Sequence, residues 1–549
     1  MEQALHHAQD AHRSAAPVGE FDAIVIGAGF AGLYALHKLR QQGLKVRVLE
    51  AGRDVGGTWY WNQYPGSRCD IESLEYSYSF DDDLQQEWHW PERFATAPDI
   101  QRYASHVSER FDLRKDIQFS IRVVSAVFDS KKNLWTVHTD QGQTLSAPIC
   151  VMATGNLSLP RVPQFPGLEN YKGKWYHSGL WPKEGVDFSG QRVGVIGTGS
   201  SGIQIIQEMA KQAKHLYVFQ RTANFSVPAQ NRPTTDEYER SFKDRYAEVR
   251  AEERQTPFAI AGHQPPTQSA LEASPQERQA AYEKKWQTGG NISFLYAYND
   301  LMTNREANET ACEFVRSKIR QIVKDPQTAE LLCPTGHPIG AKRLCMHTDY
   351  FDMYNRDNVT LVDAKSAPLQ EITAKGIRST EVEYELDAII FATGFDAMTG
   401  ALLDIDIKTD DGKSLRSKWS EGPRTYLGLM TSGFPNLFII TGPGSPSVKT
   451  NMISSIEQHV DWIADCVAHM QVNGYTRINP VPAAENDWVD HVNEVADRTL
   501  YPLADSWYVG ANIPGKPRVF MPYVAGLDKY RKICEQIAQD GYRGFALSR

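Results

Sequence analysis

The stretch Phe21–Glu50, "FDAIVIGAGFAGLYALHKLRQQGLKVRVLE", decides the fold. Ala23 to Ile26 is a short apolar run of strand type. Gly27, Gly29 and Gly32 follow as G-x-G-x-x-G, a helical spacing of apolar residues continues through Leu39, and "KVRVLE" is a second strand ending in Glu50. Strand, glycine loop, helix and strand in that order make a βαβ unit. The glycines let the chain turn tightly and bring the free N–H groups of a helix N-terminus against a pyrophosphate. Glu50 lies 23 residues after Gly27, close to the spacing of a carboxylate that binds a ribose. A glycine triplet alone is weak evidence. With both strands, the helix and the terminal acid it predicts a dinucleotide site.

The pattern returns at Gln191–Thr222, "QRVGVIGTGSSGIQIIQEMAKQAKHLYVFQRT", where Gly197, Gly199 and Gly202 follow the strand Val193 to Ile196. Its second strand ends in Gln220 and Arg221 instead of an acid. A carboxylate there would repel a 2′-phosphate, whereas arginine pairs with it bidentately. The first site therefore suits FAD or NAD and the second NADP; the bland alternative for Arg221 is a solvated charge at a strand end. "CVMATGNLS" (150–158) and "AIIFATGFD" (388–396) are apolar strands ending in Ala-Thr-Gly, of the kind that marks crossings between nucleotide domains, and "GFPNLFIITGPGS" (433–445) is a further strand ending in glycines.

Composition narrows the function. With 549 residues the chain exceeds the size of a single core. It is 41% apolar and 23% charged with a net charge of −9, ordinary for a soluble protein and unfavourable to broad nucleic-acid binding. Cys69, Cys150, Cys312, Cys333, Cys345, Cys466 and Cys534 contain no C-x-x-C pair and no disulfide framework, which fits a reducing cytoplasm. The N-terminal segment lacks the pattern of a secretory leader, and no apolar run reaches membrane-spanning length. No metal-ligand spacing occurs. The serines of "GTGSSG" approach a hydrolase nucleophile elbow but are already accounted for as a phosphate loop.

The segment Tyr171-x-Gly173-x3-His177-x3-Trp181-Pro182, which shows no clear period, resembles the Baeyer–Villiger monooxygenase fingerprint F-x-G-x3-H-x3-W-P, with tyrosine in the first place. "GGTWYWNQYPGSRCD" (56–70), "GAKRL" (340–344) and "SWYVGANIPGKPRVFMP" (506–522) extend the resemblance over nearly the whole chain, and it is greatest to the phenylacetone and steroid monooxygenases of that family. The resemblance implies oxidation of aromatic, cyclic or bulky ketones to esters or lactones with NADPH and O2, through a C4a-peroxyflavin. It implies Arg343 over the flavin as stabiliser of the anionic oxidant and of the tetrahedral adduct, with Asp70 aiming it. The bland alternative for that pair is an ordinary ion pair. By the same resemblance Trp59 belongs to the FAD side, Lys342 joins Arg221 at the 2′-phosphate, Trp507 lies near the nicotinamide nucleotide, and Met452, in the loop Gly442–Met452, lines the substrate pocket. Trp507 is equally readable as core, and the loop as only a loop. His177, Trp175 and Trp181 sit on the linker entering the NADP domain, where packing and control of domain motion are compatible readings.

The fold expected is α/β: two Rossmann-like dinucleotide-binding domains, each discontinuous, with a helical insertion. The layout is a flexible tail at 1–19, FAD domain at 20–157 and again at 390–549 with the C-terminal loops, NADP domain at 158–227 and 336–389, and helical insertion at 228–335. No protein partner is required by any motif. The competing readings are S- or N-oxygenation by a flavin monooxygenase, which needs no Arg343; a disulfide reductase, for which the redox cysteine pair is missing; and a non-catalytic NADPH-binding module.

Overall fold

The computed structural model describes residues 21–549; the tail expected at 1–19 lies outside the described residues. Ala23–Ile26 (β1), Val46–Leu49 (β2), Ile117–Gln118 (β3), Ile149–Met152 (β4), Lys174–His177 (β5), Arg192–Ile196 (β6), His215–Gln220 (β7), Val359–Asp363 (β8), Ala388–Phe391 (β9) and Leu437–Ile439 (β10) build two parallel five-stranded sheets, in the orders β10-β4-β1-β2-β3 and β8-β7-β6-β9-β5. The central strands are buried along their whole length, "AIVI" in β1, "ICVM" in β4 and "AIIF" in β9, because helices or other layers cover both faces. In each sheet the first glycine loop leads into a helix, Phe30–Gln41 (α1) or Ser200–Gln212 (α2). The long helix Met452–Asn473 (α3) packs along α1 and closes the first layer. This is the Rossmann-like α/β architecture expected, with β10 bringing the C-terminal third back to the first sheet.

The two Ala-Thr-Gly strand ends have a shared structural role. Gly27 has φ +104°, and a Cβ there would stand 2.5 Å from the carbonyl oxygen of Ala153, at the end of β4. Gly197 repeats this with φ +110° and the Ala392 carbonyl, at the end of β9, again 2.5 Å away. Each glycine loop is thus seated on the neighbouring strand end, and only glycine permits so close an approach. The chain passes between the sheets at those same ends: Arg161 N–H donates to Gly394 O and Asp396 N–H to Leu159 O, both at 2.9 Å, so the two crossings run side by side.

The fingerprint segment departs from the linker expected for it. Lys174–His177 is a strand, β5, pairing parallel with β9 at the edge of the second sheet. Its two middle residues, Trp175 and Tyr176, are both half-buried, so the strand carries no apolar alternation. Between the halves of the second domain lie the helices Asp236–Lys243, Tyr246–Glu253, Pro275–Thr288, Asn291–Leu295, Arg305–Ile322 and Pro326–Leu332. One of them is tied to the first layer by Arg250, which is buried, pairs with Glu253 at 3.0 Å and donates to Ser77 Oγ at 2.7 Å. No helix among the described residues is long and apolar enough to cross a membrane.

Candidate active site

Four segments far apart in the chain meet at one ion pair. Arg343 donates from Nε to Asp70 Oδ2 at 2.8 Å and from Nη2 to Oδ1 at 2.6 Å, a bidentate fork. Its Nη1 donates to the carbonyl oxygen of Val448 at 2.7 Å, and Asn291 donates to Asp70 Oδ2 at 3.2 Å. A guanidinium carries five N–H donors. Three are committed here, and two remain for another acceptor. About a quarter of each side chain stays exposed, 26% for Arg343 and 27% for Asp70, so the pair faces open space. Burial pulls the Arg343 pKa down, but Asp70 outweighs it and the guanidinium is held above its usual range, charged at any working pH. The Tyr508 hydroxyl lies beside the guanidinium without a hydrogen-bond partner of standard geometry, and burial pushes its pKa up to about 12.

The first glycine loop is braced from both sides. Glu50 accepts from the N–H groups of Ala28 and Gly52, each at 2.6 Å, which locks the strand end to the loop. The Cα of Gly57 lies 3.3 Å from where a Cβ of Gly29 would be, so the "GGTWYW" segment is laid directly on the loop with no side chain between. Trp59 is buried beside it and donates from Nε1 to the Tyr76 hydroxyl at 3.1 Å.

The second loop is open. A Cβ on Gly199 would meet no atom within 4 Å, although Gly199 caps the N-terminus of α2. Arg221 lies near both Lys342 and Arg161, and none of these three is in a salt bridge among the described residues. Burial lowers the pKa of both Lys342 and Arg161; Arg221 adds to this, while Asp505 acts against it at Lys342 and Asp396 at Arg161. Three neighbouring cations, none of them in an ion pair, fit a phosphate-bearing dinucleotide.

His177 is 1% exposed and joins the fingerprint strand to the chain crossings. Gly179 N–H donates to its Nδ1 at 3.0 Å, so the proton of the neutral ring is on Nε2, which donates to the Arg161 carbonyl at 3.0 Å. Burial lowers its pKa and keeps it neutral. Trp181 is buried between Tyr176 and Phe188, and Trp175 stands edge-on to Phe391. The Tyr171 hydroxyl donates to Leu386 O at 2.9 Å, and its ring fills the space in which a side chain at Gly173 would lie.

Comparison with known proteins decides the family. The FMO-like family model, described as flavin-binding monooxygenase-like, matches residues 22–243. A Baeyer–Villiger monooxygenase of Pseudooceanicola batsensis is 44% identical over 526 residues, 95% of each chain. An oxidised steroid monooxygenase bound to NADP superposes with a TM-score of 0.92 at 49% identity, over 96% of this chain and 100% of that one. The chain belongs to the Baeyer–Villiger monooxygenases. A structure of OTEMO in complex with FAD and NADP gives a TM-score of 0.93 at 43% identity, over 96% of this chain and 99% of that one.

In this Baeyer–Villiger monooxygenase several residues of the site escaped sequence reasoning. Asn291, on the insertion, reaches Asp70 across 221 positions, and Tyr508 sits next to the tryptophan that drew attention. Arg161 follows the first Ala-Thr-Gly and carried no motif of its own. Its backbone oxygen is what His177 holds, and its side chain donates to Asn512 O in the C-terminal block. Met452 opens α3, and with Leu157, Met302, Trp507 and Val509 it packs partly buried against Val448, Tyr501, Tyr508, Phe520 and Met521. That apolar cluster borders the ion pair through Val448 and Tyr508.

Proposed function

We propose that the Asp70–Arg343 pair is the catalytic element with which this enzyme converts ketones to esters or lactones, using NADPH and O2. Bound FAD supplies the oxidant, after reduction by NADPH and reaction with O2. The observation that carries the reading is the bidentate fork with two guanidinium N–H groups to spare. Asp70 fixes the plane of the guanidinium, and Val448 O fixes its third donor. The two free N–H groups and the permanent charge favour an anion at that point, both the attacking oxygen and the oxyanion formed when it adds to the carbonyl. Electrophilic transfer to sulfur or nitrogen has no use for such a donor.

The residues present fit both cofactors. Gly27, Gly29, Gly32, Glu50 and Trp59 would hold FAD on the first sheet. Gly197, Gly199, Gly202, Arg221 and Lys342 would hold NADP on the second, with Trp507 over its nicotinamide end. The strand pairing supports the division of the chain into two discontinuous nucleotide domains with an insertion at 228–335. The apolar wall containing Met452 favours cyclic, aromatic or bulky ketones, and the seven unpaired, buried cysteines are in keeping with a cytoplasmic setting.

The test is Arg343→Ala, measured by stopped-flow flavin reduction and by ester formation. Reduction by NADPH is expected to persist while ester yield falls at least about 100-fold, the usual size of losing one oxyanion donor. Unimpaired ester yield would refute the assignment.

A further inference from the structure

We infer that Lys449 selects, for this enzyme, ketones that carry a carboxylate. The inference rests on the reading of Arg343 just given. Lys449 lies in the short turn Ser447–Lys449, one residue after the carbonyl that holds Arg343, and the two side chains line the same cavity together with Ile71, Phe258, Ile292 and Leu295. Its Nζ stands 4.0 Å from the centre of the Tyr501 ring and 4.6 Å from that of Tyr508. Among the described residues it has no salt-bridge partner. The nearest acid, Asp70, is already taken by Arg343 and Asn291. The cavity is thus lined by two basic side chains, Arg343 and Lys449, and by no acid.

Ring faces stabilise an ammonium but replace its lost hydration only in part. Burial and the neighbouring Arg343 hold the Lys449 pKa well below its usual value, and an arriving carboxylate would favour its protonated form. The space is small, about 30 Å³, room for little more than one water. A ketone entering beside Arg343 meets Lys449 directly and must pair with it or push it aside. A carboxylate on the far end of the substrate would restore neutrality while the carbonyl lies at Arg343. A neutral ketone would offer the Lys449 amine no partner, which selects against it. The aliphatic and aromatic walls accept the body of such an oxo acid.

The test uses the FAD-loaded enzyme with a matched pair, 4-oxocyclohexanecarboxylate and its methyl ester, in wild type, Lys449→Met and Lys449→Arg. The ratio of kcat/KM for acid over ester is expected to fall about 10- to 100-fold in Lys449→Met, the size of a charge-assisted hydrogen bond, and to be retained in part by Lys449→Arg. Calorimetric titration of the NADP⁺-loaded enzyme with the oxo acid is expected to lose binding in parallel. An acid-to-ester ratio within about twofold across the three proteins, or Lys449→Arg behaving like Lys449→Met, would overturn the inference. If neither ketone is oxygenated while calorimetry still shows binding that depends on Lys449, the charge recognition stands and the ketone-oxidation reading falls.

Discussion

His177 Nε2 lies 3.0 Å from the carbonyl oxygen of Arg161, and Thr393 Oγ1 donates to the same oxygen at 2.7 Å. One backbone atom thus ties the fingerprint strand to both crossings between the sheets. His177→Ala leaves the buried Gly179 N–H without its acceptor and takes one donor from Arg161 O, at a cost of about 1–3 kcal/mol. The melting temperature of the FAD-loaded enzyme should drop by roughly 1–3 °C, at about 1 °C per kcal/mol for a chain of this size. His177→Gln, whose amide offers both a donor and an acceptor, should lose less. A variant that melts like wild type would show that the ring's bonds do not hold the crossings together.

Arg221 and Lys342 are neighbours, and together they are the element proposed for the 2′-phosphate. Arg221→Ala should raise KM for NADPH about 10- to 100-fold, the range of a charge-assisted hydrogen bond, and leave KM for NADH nearly unchanged. Initial rates with both nucleotides decide it. An equal loss with NADPH and NADH would place the 2′-phosphate elsewhere.

The glycine loops were legible because their geometry is local: a strand, a tight turn and a helix within thirty residues dictate which positions must be glycine. The partners that give those loops their shape were not. Nothing near Gly27 announces that Ala153 O lies under it, since that contact is made only when β4 pairs with β1. The Asp70–Arg343 pair spans 273 positions and was reached through family resemblance, not through spacing. Asn291 and Lys449 were missed for the same reason: one sits in a helical insertion of ordinary composition, the other in a loop where a single lysine has no periodic signature. The fingerprint strand was hidden by its place at a sheet edge, where half-burial removes the alternation by which strands are recognised.

His347 is buried, bonded through Nδ1 to Ser226 Oγ at 2.8 Å, and burial depresses its pKa to about 3. Above pH about 6.5 the ring is neutral in both the folded and unfolded chain and contributes no pH dependence. As pH falls below that, the unfolded chain takes up a proton that the folded one refuses, so stability decreases, by up to about 1.4 kcal/mol per pH unit until the folded pKa is reached. His347→Asn should be less stable than wild type at pH 7, and the gap should close by up to about 2 kcal/mol between pH 6.5 and 5. Urea unfolding midpoints of the two proteins across that range measure it. A gap that stays constant would mean the ring takes up its proton in the folded enzyme as readily as in the unfolded chain.

Gly197 and Gly199, two residues apart, should answer alanine in opposite ways. Gly197 has φ +110°, and its Cβ would stand 2.5 Å from Ala392 O, so Gly197→Ala strains the backbone and separates β6 from β9. It should lower the melting temperature whether or not nucleotide is present. Gly199 has φ −81°, open to any residue, and its Cβ would meet nothing within 4 Å. An alanine cap on α2 is weaker than glycine by only about 1 kcal/mol or less, so the apo protein should melt within a few degrees of wild type. The emptiness around Gly199 is nevertheless the space a pyrophosphate needs if it is to touch the helix N-terminus. A methyl group placed there holds the phosphates off, and KM for NADPH should rise about 10-fold or more while ketone KM changes little. A Gly199→Ala enzyme with normal NADPH kinetics would mean that the second loop does not carry the pyrophosphate, and Arg221, Lys342 and Arg161 would need another ligand.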